Sequence, residues 1–119
     1  MVLNKPRPMR EMLVAETEIF DLQTGKKLMA RTSDMSLGGC YLETSAILTP
    51  GTNLKLIFSI DDGKLHAEGT VTRMHPGSGI AVQFKELNRE DKARMHRILE
   101  YVQNSTAAYD NHYYEKIDR

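Results

Sequence analysis

The densest chemistry in the chain lies in Asp34-Met35-Ser36-Leu37-Gly38-Gly39. A carboxylate and a hydroxyl two residues apart can accept backbone N–H groups within a turn. Paired glycines permit positive φ and the close approach of another backbone or a ligand. A second feature is the N-terminal ten residues, which carry Lys5, Arg7 and Arg10 with no acid among them. The 119-residue chain balances 16 basic against 16 acidic residues, so it has no overall field to hold a nucleic-acid polymer by counterion release. Any anion site must be local, and the basic arm is the place to expect it.

Other reactive residues assemble into nothing comparable. Cys40 is the single cysteine, which excludes an internal disulfide, fits a reducing compartment and reads as a small core residue. His66, His75, His96 and His112 have no metal-ligand spacing with one another or with Cys40, so no metal site is assigned. Ser36 lies outside any G-x-S-x-G pattern and has no implied base, so no catalytic residue is assigned and the chain reads as a binding module rather than an enzyme. Arg73 sits in a strand pattern, where a solvated arginine is the plain reading. Met9, Met12 and Met35 flank the arm and the turn and read as core or rim packing.

The elements that must position these residues have the period of strands from Met12 to Phe84, with turn signals every eight to twelve residues. Leu13, Ala15, Thr17 and Ile19 alternate with Val14, Glu16, Glu18 and Phe20. Gln23-Thr24-Gly25 then turns the chain into a partner strand, Lys26 to Thr32. Asp34 to Gly39 reads as the next turn, Cys40 to Thr44 as a short strand, and Pro50-Gly51 as the end of the following loop. Leu54, Leu56 and Phe58 share one strand face. Asp62-Gly63 reads as a hairpin turn leading to Leu65, Ala67, Gly69 and Val71, and Pro76-Gly77-Ser78-Gly79 precedes Ile80 to Phe84. The period then becomes helical, with Met95, Ile98, Leu99 and Val102 on one face, Asn88 as N-cap and Asp91 as its capping partner. The expected organisation is an all-β domain with a C-terminal helix: an arm at 1–11, a domain at 12–103 with its barrel at 12–86 and helix at 88–103, and a tail at 104–119 holding Tyr109, Tyr113 and Tyr114. The start lacks the apolar run of a signal peptide and no later run is long enough to span a membrane, so a cytoplasmic location is expected.

Taken together, these pieces resemble the PilZ domain family over about residues 10 to 102. Asp34, Ser36 and Gly39 match its D-x-S-x-x-G motif, Gly69-Thr70-Val71-Thr72-Arg73 looks like its G-x-V-x-R strand, and Gly79 to Phe84 looks like its G-h-x-h-x-F strand. The resemblance implies a six-stranded antiparallel barrel that binds cyclic di-GMP and transmits the signal to an unidentified protein partner. It implies ligand contacts from Arg7, Arg10, Asp34, Ser36, Gly38 and Gly39, with Lys5 and Arg73 as possible additions and no other cofactor. Guanine presents O6 and N7 to a bidentate arginine, and its N1–H and N2–H suit a carboxylate. The family arm is R-x-x-x-R, whereas Arg7 and Arg10 stand as R-x-x-R. Arg10, 24 residues before Asp34, keeps the expected distance, and Arg7 or Lys5 must replace the other arginine. That departure supports an alternative, an adaptor that binds no nucleotide and acts through protein–protein contacts, with the tyrosine-rich tail as contact surface.

Overall fold

The computed structural model describes residues 11–60, 63–85 and 87–101. Six strands follow in chain order: β1 Glu16–Asp21, β2 Lys27–Met35, β3 Gly39–Glu43, β4 Asn53–Ile60, β5 Gly63–His75 and β6 Gly79–Phe84. A helix, α1, is described over 89–101. The strands close into an antiparallel barrel in the order β1-β2-β3-β6-β5-β4, with β1 paired to β4 across the seam. The expected architecture is therefore present.

Alternation sorts the side chains. Ile19, Leu42, Leu54, Leu56, Phe58, Leu65 and Ile80 are fully buried inside, while Glu16, Lys55, His66, Glu68 and Gln83 face out. Cys40 is buried among the core residues, as its small apolar character suggests. Turns follow local chemistry. Asp21 Oδ1 accepts the Gln23 amide at 2.9 Å, and Gly25 closes the β1–β2 connection at φ 74°, a conformation that disfavours a side chain.

Three expectations need correction. Gly63 is the first residue of β5 and pairs with Ile60, so it lies in the ladder rather than in the turn. A side chain at Gly63 would collide with the Arg94 guanidinium, which donates to the Lys64 carbonyl. Second, β2 runs past Thr32 to Met35, so Asp34 lies in a strand and the turn is shorter than expected. Third, Met12 is 81% exposed and packs in neither core nor rim.

The helix belongs to the core. Met95 and Leu99 join the barrel residues in one hydrophobic cluster, with Ile98 packed against it. Arg94 reaches Lys64, which sets α1 at the mouth where β5 begins. Asn88 caps it as expected: its Oδ1 accepts the Asp91 amide at 2.7 Å, and its Nδ2 donates to Asp91 Oδ2 at 2.9 Å. Val102 lies outside the described residues. On the barrel surface, the Lys27 ammonium hydrogen-bonds Glu18 and, aided by Lys64 and His66, holds its carboxyl below the ordinary 4.5.

Two stability predictions follow from these contacts. Met95→Ala should cost about 2–5 kcal/mol in urea melts, because it empties core volume, and Asn88→Ala about 1 kcal/mol. The depressed Glu18 pKa means its contribution is present above the ordinary carboxylate value and lost as pH falls through the lowered one. Melting temperatures of wild type and Glu18→Gln should therefore differ at neutral pH and converge on acidification.

Candidate functional site

The Asp34-to-Gly39 segment is fixed from several sides. Glu11 and Met35 exchange both backbone hydrogen bonds, Glu11 N–H to the Met35 carbonyl at 2.8 Å and Met35 N–H to the Glu11 carbonyl at 2.9 Å. The Ser36 amide donates to the Gly39 carbonyl at 2.8 Å, and the Phe84 amide donates to the Gly38 carbonyl at 2.8 Å. Ser36 is 5% exposed, and its hydroxyl accepts the Gly38 amide at 3.1 Å while donating to the Gly39 carbonyl at 3.4 Å. The serine thus builds the turn from within. Neither Gly38 nor Gly39 has positive φ, so that part of the glycine expectation is corrected. Close approach is what Gly39 provides, since a Cβ there would strike the Val82 carbonyl oxygen on β6. Around Gly38 the nearest atom to such a Cβ would be Ser36 Oγ at 3.9 Å.

Two bulges decide which way the charged residues point. In the β2–β3 ladder Thr32 pairs with Leu42, but the next partner of Tyr41 is Asp34, so Ser33 is an extra residue. In a regular ladder Ser33 would oppose Tyr41, and Asp34 would fall opposite Cys40 and face the core. In the β5–β6 ladder Val71 pairs with Val82 and Arg73 with Ala81, leaving Thr72 extra. Without that bulge Arg73 would oppose the fully buried Ile80. The Thr72 hydroxyl donates to the Ala81 carbonyl at 3.2 Å.

The two shifts bring Asp34, Tyr41, Ala81 and Arg73 into one row across β2, β3, β6 and β5 on the outer surface. The row's ends are three strand spacings apart, about 14 Å. Between them Ala81 is 5% exposed yet stands outside the core cluster, so the middle of the row is small and apolar. The Tyr41 ring lies against Gly79, where any side chain would collide with it, and its hydroxyl is 3.0 Å from His75 Nδ1. On the neighbouring row Arg31 and Glu43 form an ion pair at 3.5 Å. The surface can offer a carboxylate at one end, a guanidinium at the other and an aromatic ring between them.

Of the residues expected from sequence, Asp34, Ser36, Gly38 and Gly39 lie together, and Arg73 shares Asp34's row. Lys5, Arg7 and Arg10 lie outside the described residues, as does the tail. Sequence reasoning missed Glu11, Thr32 and Tyr41 as parts of this region. It also missed the bulges, whose trace is an inward pair spaced by three instead of two, Thr32 with Met35 and Val71 with Met74. Among the described residues no group of His, Cys, Asp and Glu could hold a metal ion, and no helix is long and apolar enough to cross a membrane.

A closed antiparallel barrel of six strands with a helix on one mouth and a tightly bonded turn on its outer surface defines a small barrel domain of known type. The PilZ domain family model matches residues 6–101, and the chain belongs to that family. Among solved structures it is similar to the PilZ domain of CeSA from a cellulose-synthesizing bacterium, at 20% identity and TM-score 0.66, covering 80% of this chain and 98% of that one. It is also similar to the PilZ domain of YcgR from Escherichia coli, solved with c-di-GMP, at 17% identity and TM-score 0.71, covering 98% and 99%. The MrkH–c-di-GMP complex of K. pneumonia matches at 21% identity and TM-score 0.72 over 91% of this chain but 57% of MrkH, so the chain spans little more than half of that protein. Comparison with curated proteins by sequence finds no match.

The contrast between the two glycines gives a direct check. Gly39→Ala should destabilise the domain by about 1–3 kcal/mol or more, because the colliding atom is backbone and cannot rotate away. Gly38→Ala should melt close to wild type. Thermal denaturation of both variants by circular dichroism measures the difference.

Proposed function

We propose that this chain is a cyclic di-GMP receptor, with no catalytic role, in which the basic arm and the outer-surface turn hold the nucleotide together and pass the signal to a protein partner. The observation that carries the reading is the Glu11–Met35 backbone pair. Arg10 is one peptide bond from Glu11, and Met35 stands between Asp34 and Ser36, so the arm is rooted beside the motif it must work with. Three of the similar solved structures, one of MrkH and two of YcgR, contain c-di-GMP, which supports the ligand class.

In this reading Arg10 takes the acceptor edge or the face of a guanine, and Asp34 takes its N1–H and N2–H. Arg7, with Lys5 in support, meets the phosphates or the second base. Gly38 lets the ligand approach the turn, while Ser36 and Gly39 hold the turn's shape. Arg73, at the far end of the row, is an additional cationic contact. Ordering the arm costs about 1–2 kcal/mol for each backbone residue fixed, so affinity depends on the arm's own sequence.

Calorimetric titration with cyclic di-GMP tests this. Arg10→Ala and Asp34→Ala should each weaken binding by roughly ten- to a hundredfold, consistent with the loss of a charge-assisted contact. Arg7→Ala should cost less, because Arg7 sits one residue out of the family spacing, between Pro6 and Pro8. One residue inserted between Arg7 and Arg10 should tighten binding. Absence of heat from folded protein at high micromolar nucleotide would overturn the receptor reading in favour of the nucleotide-independent adaptor.

A further inference from the structure

The segment before β1 is tied to the barrel by a side chain on β2. Thr32 is 1% exposed, and its amide donates to the Ala15 carbonyl at 3.0 Å. In a regular antiparallel ladder the Ala15 amide would return the bond to the Thr32 carbonyl. Here it donates to Thr32 Oγ1, at 2.8 Å, and that hydroxyl in turn donates to the Leu13 carbonyl. One buried hydroxyl therefore replaces the backbone acceptor and ties down two residues of the incoming segment.

Register shows why this matters. Glu16 pairs with Arg31 and Glu11 with Met35, so five residue steps on the incoming segment are matched by four on β2. The segment must bow by one residue between these pairs, and Thr32 holds it where it leaves the ladder. The bow ends at Glu11, the residue that follows Arg10 in the sequence. Leu13 is half-buried against the core, whereas Val14 and Met12 face out, 67% and 81% exposed, so packing constrains alternate residues at most.

We propose that Thr32 is a positioning residue for nucleotide binding: its hydroxyl fixes the course of residues 11–15 and so presents the arm beside the Asp34 turn. The role in binding rests on the receptor reading above. The fixing of the segment does not.

Thr32→Val keeps the shape and removes the hydroxyl, Thr32→Ser keeps the hydroxyl, and Thr32→Cys keeps the volume with only weak hydrogen bonding. Two readouts are measured on each: amide hydrogen exchange by NMR, and calorimetric affinity for cyclic di-GMP. In Thr32→Val the amides of Glu11 and Ala15 should exchange about tenfold faster or more, those of Leu56 and Ala67 in β4 and β5 should stay within about twofold, and nucleotide affinity should fall about tenfold. Serine should restore both. If valine does not fold, cysteine carries the same expectations. Unchanged exchange at Glu11 and Ala15 would overturn the fixing role. Faster exchange with undiminished affinity would overturn the positioning role. If wild-type protein binds no nucleotide, the receptor reading and the positioning role fall together, while the exchange data still decide whether Thr32 fixes the segment.

Discussion

Side-chain alternation in a closed barrel is the constraint on which the rest of this structure depends. Six strands with no free edge leave each strand residue either inside, among Phe58, Leu42, Leu54 and Ile80, or outside toward solvent, and a shift of one residue exchanges the two sets. An unpaired carboxylate or guanidinium in that interior would cost several kcal/mol. The charged residues nearest the turn therefore need outward positions, yet Thr32, Met35, Val71 and Met74 around them all point inward. One extra residue in β2 and one in β5 reconcile the two demands. Both bulges abut the same row of the β3–β6 pair, so the local solution on one strand is matched by that on the other.

Hydrogen bonds hold the turn in one shape. The turn's amides and carbonyls are bonded to Glu11, Gly39 and Phe84, the Ser36 hydroxyl is spent inside, and Gly39 lets β6 approach without a Cβ between. A surface already organised in this way would lose little further entropy on meeting a ligand. In the proposed receptor, affinity would then depend on how residues 11–15 lead into the arm. This makes the Glu11–Met35 pair and the Thr32 hydroxyl more consequential than their distance from the charged groups suggests.

Much of the fold was legible in the sequence because alternation is a robust signal. The burial of Thr17, Ile19, Leu54, Leu56, Phe58 and Leu65, the glycine turn at Gly25 and the Asn88 cap all follow from local pattern. What escaped was set by pairing. Ser33 and Asp34 are both polar and both suit a turn, so the sequence alone places Asp34 in a loop, whereas the ladder with Tyr41 carries β2 one residue beyond it. Gly63 resembles a turn glycine next to Asp62, but the β4–β5 register draws it into the strand, where a side chain would meet the movable end of Arg94. Motif residues were recognisable by type and spacing. The groups that hold them, Glu11 and Thr32, act through partners 24 and 17 residues away and leave no local mark.

The same register bears on the shortened arginine spacing. The incoming segment carries one residue more than β2 between the Glu16–Arg31 and Glu11–Met35 pairs, and the arm carries one residue fewer between its arginines than the family pattern has. The two departures look as if they could cancel, but the Glu11–Met35 pair lies between them. Slack on the barrel side of a hydrogen-bonded pair cannot be passed through it without breaking both bonds, and Thr32 holds that slack in place. In the proposed receptor Arg10, next in sequence to the anchor, would be insensitive to the missing residue. On the same reading Arg7 would have to make up the difference within residues 7–10, where a proline at position 8 limits the backbone torsions open to the chain. In the proposed receptor the site would divide into Arg10 with the Asp34 turn, next in sequence to the anchor, and a half whose reach depends on the sequence of the arm.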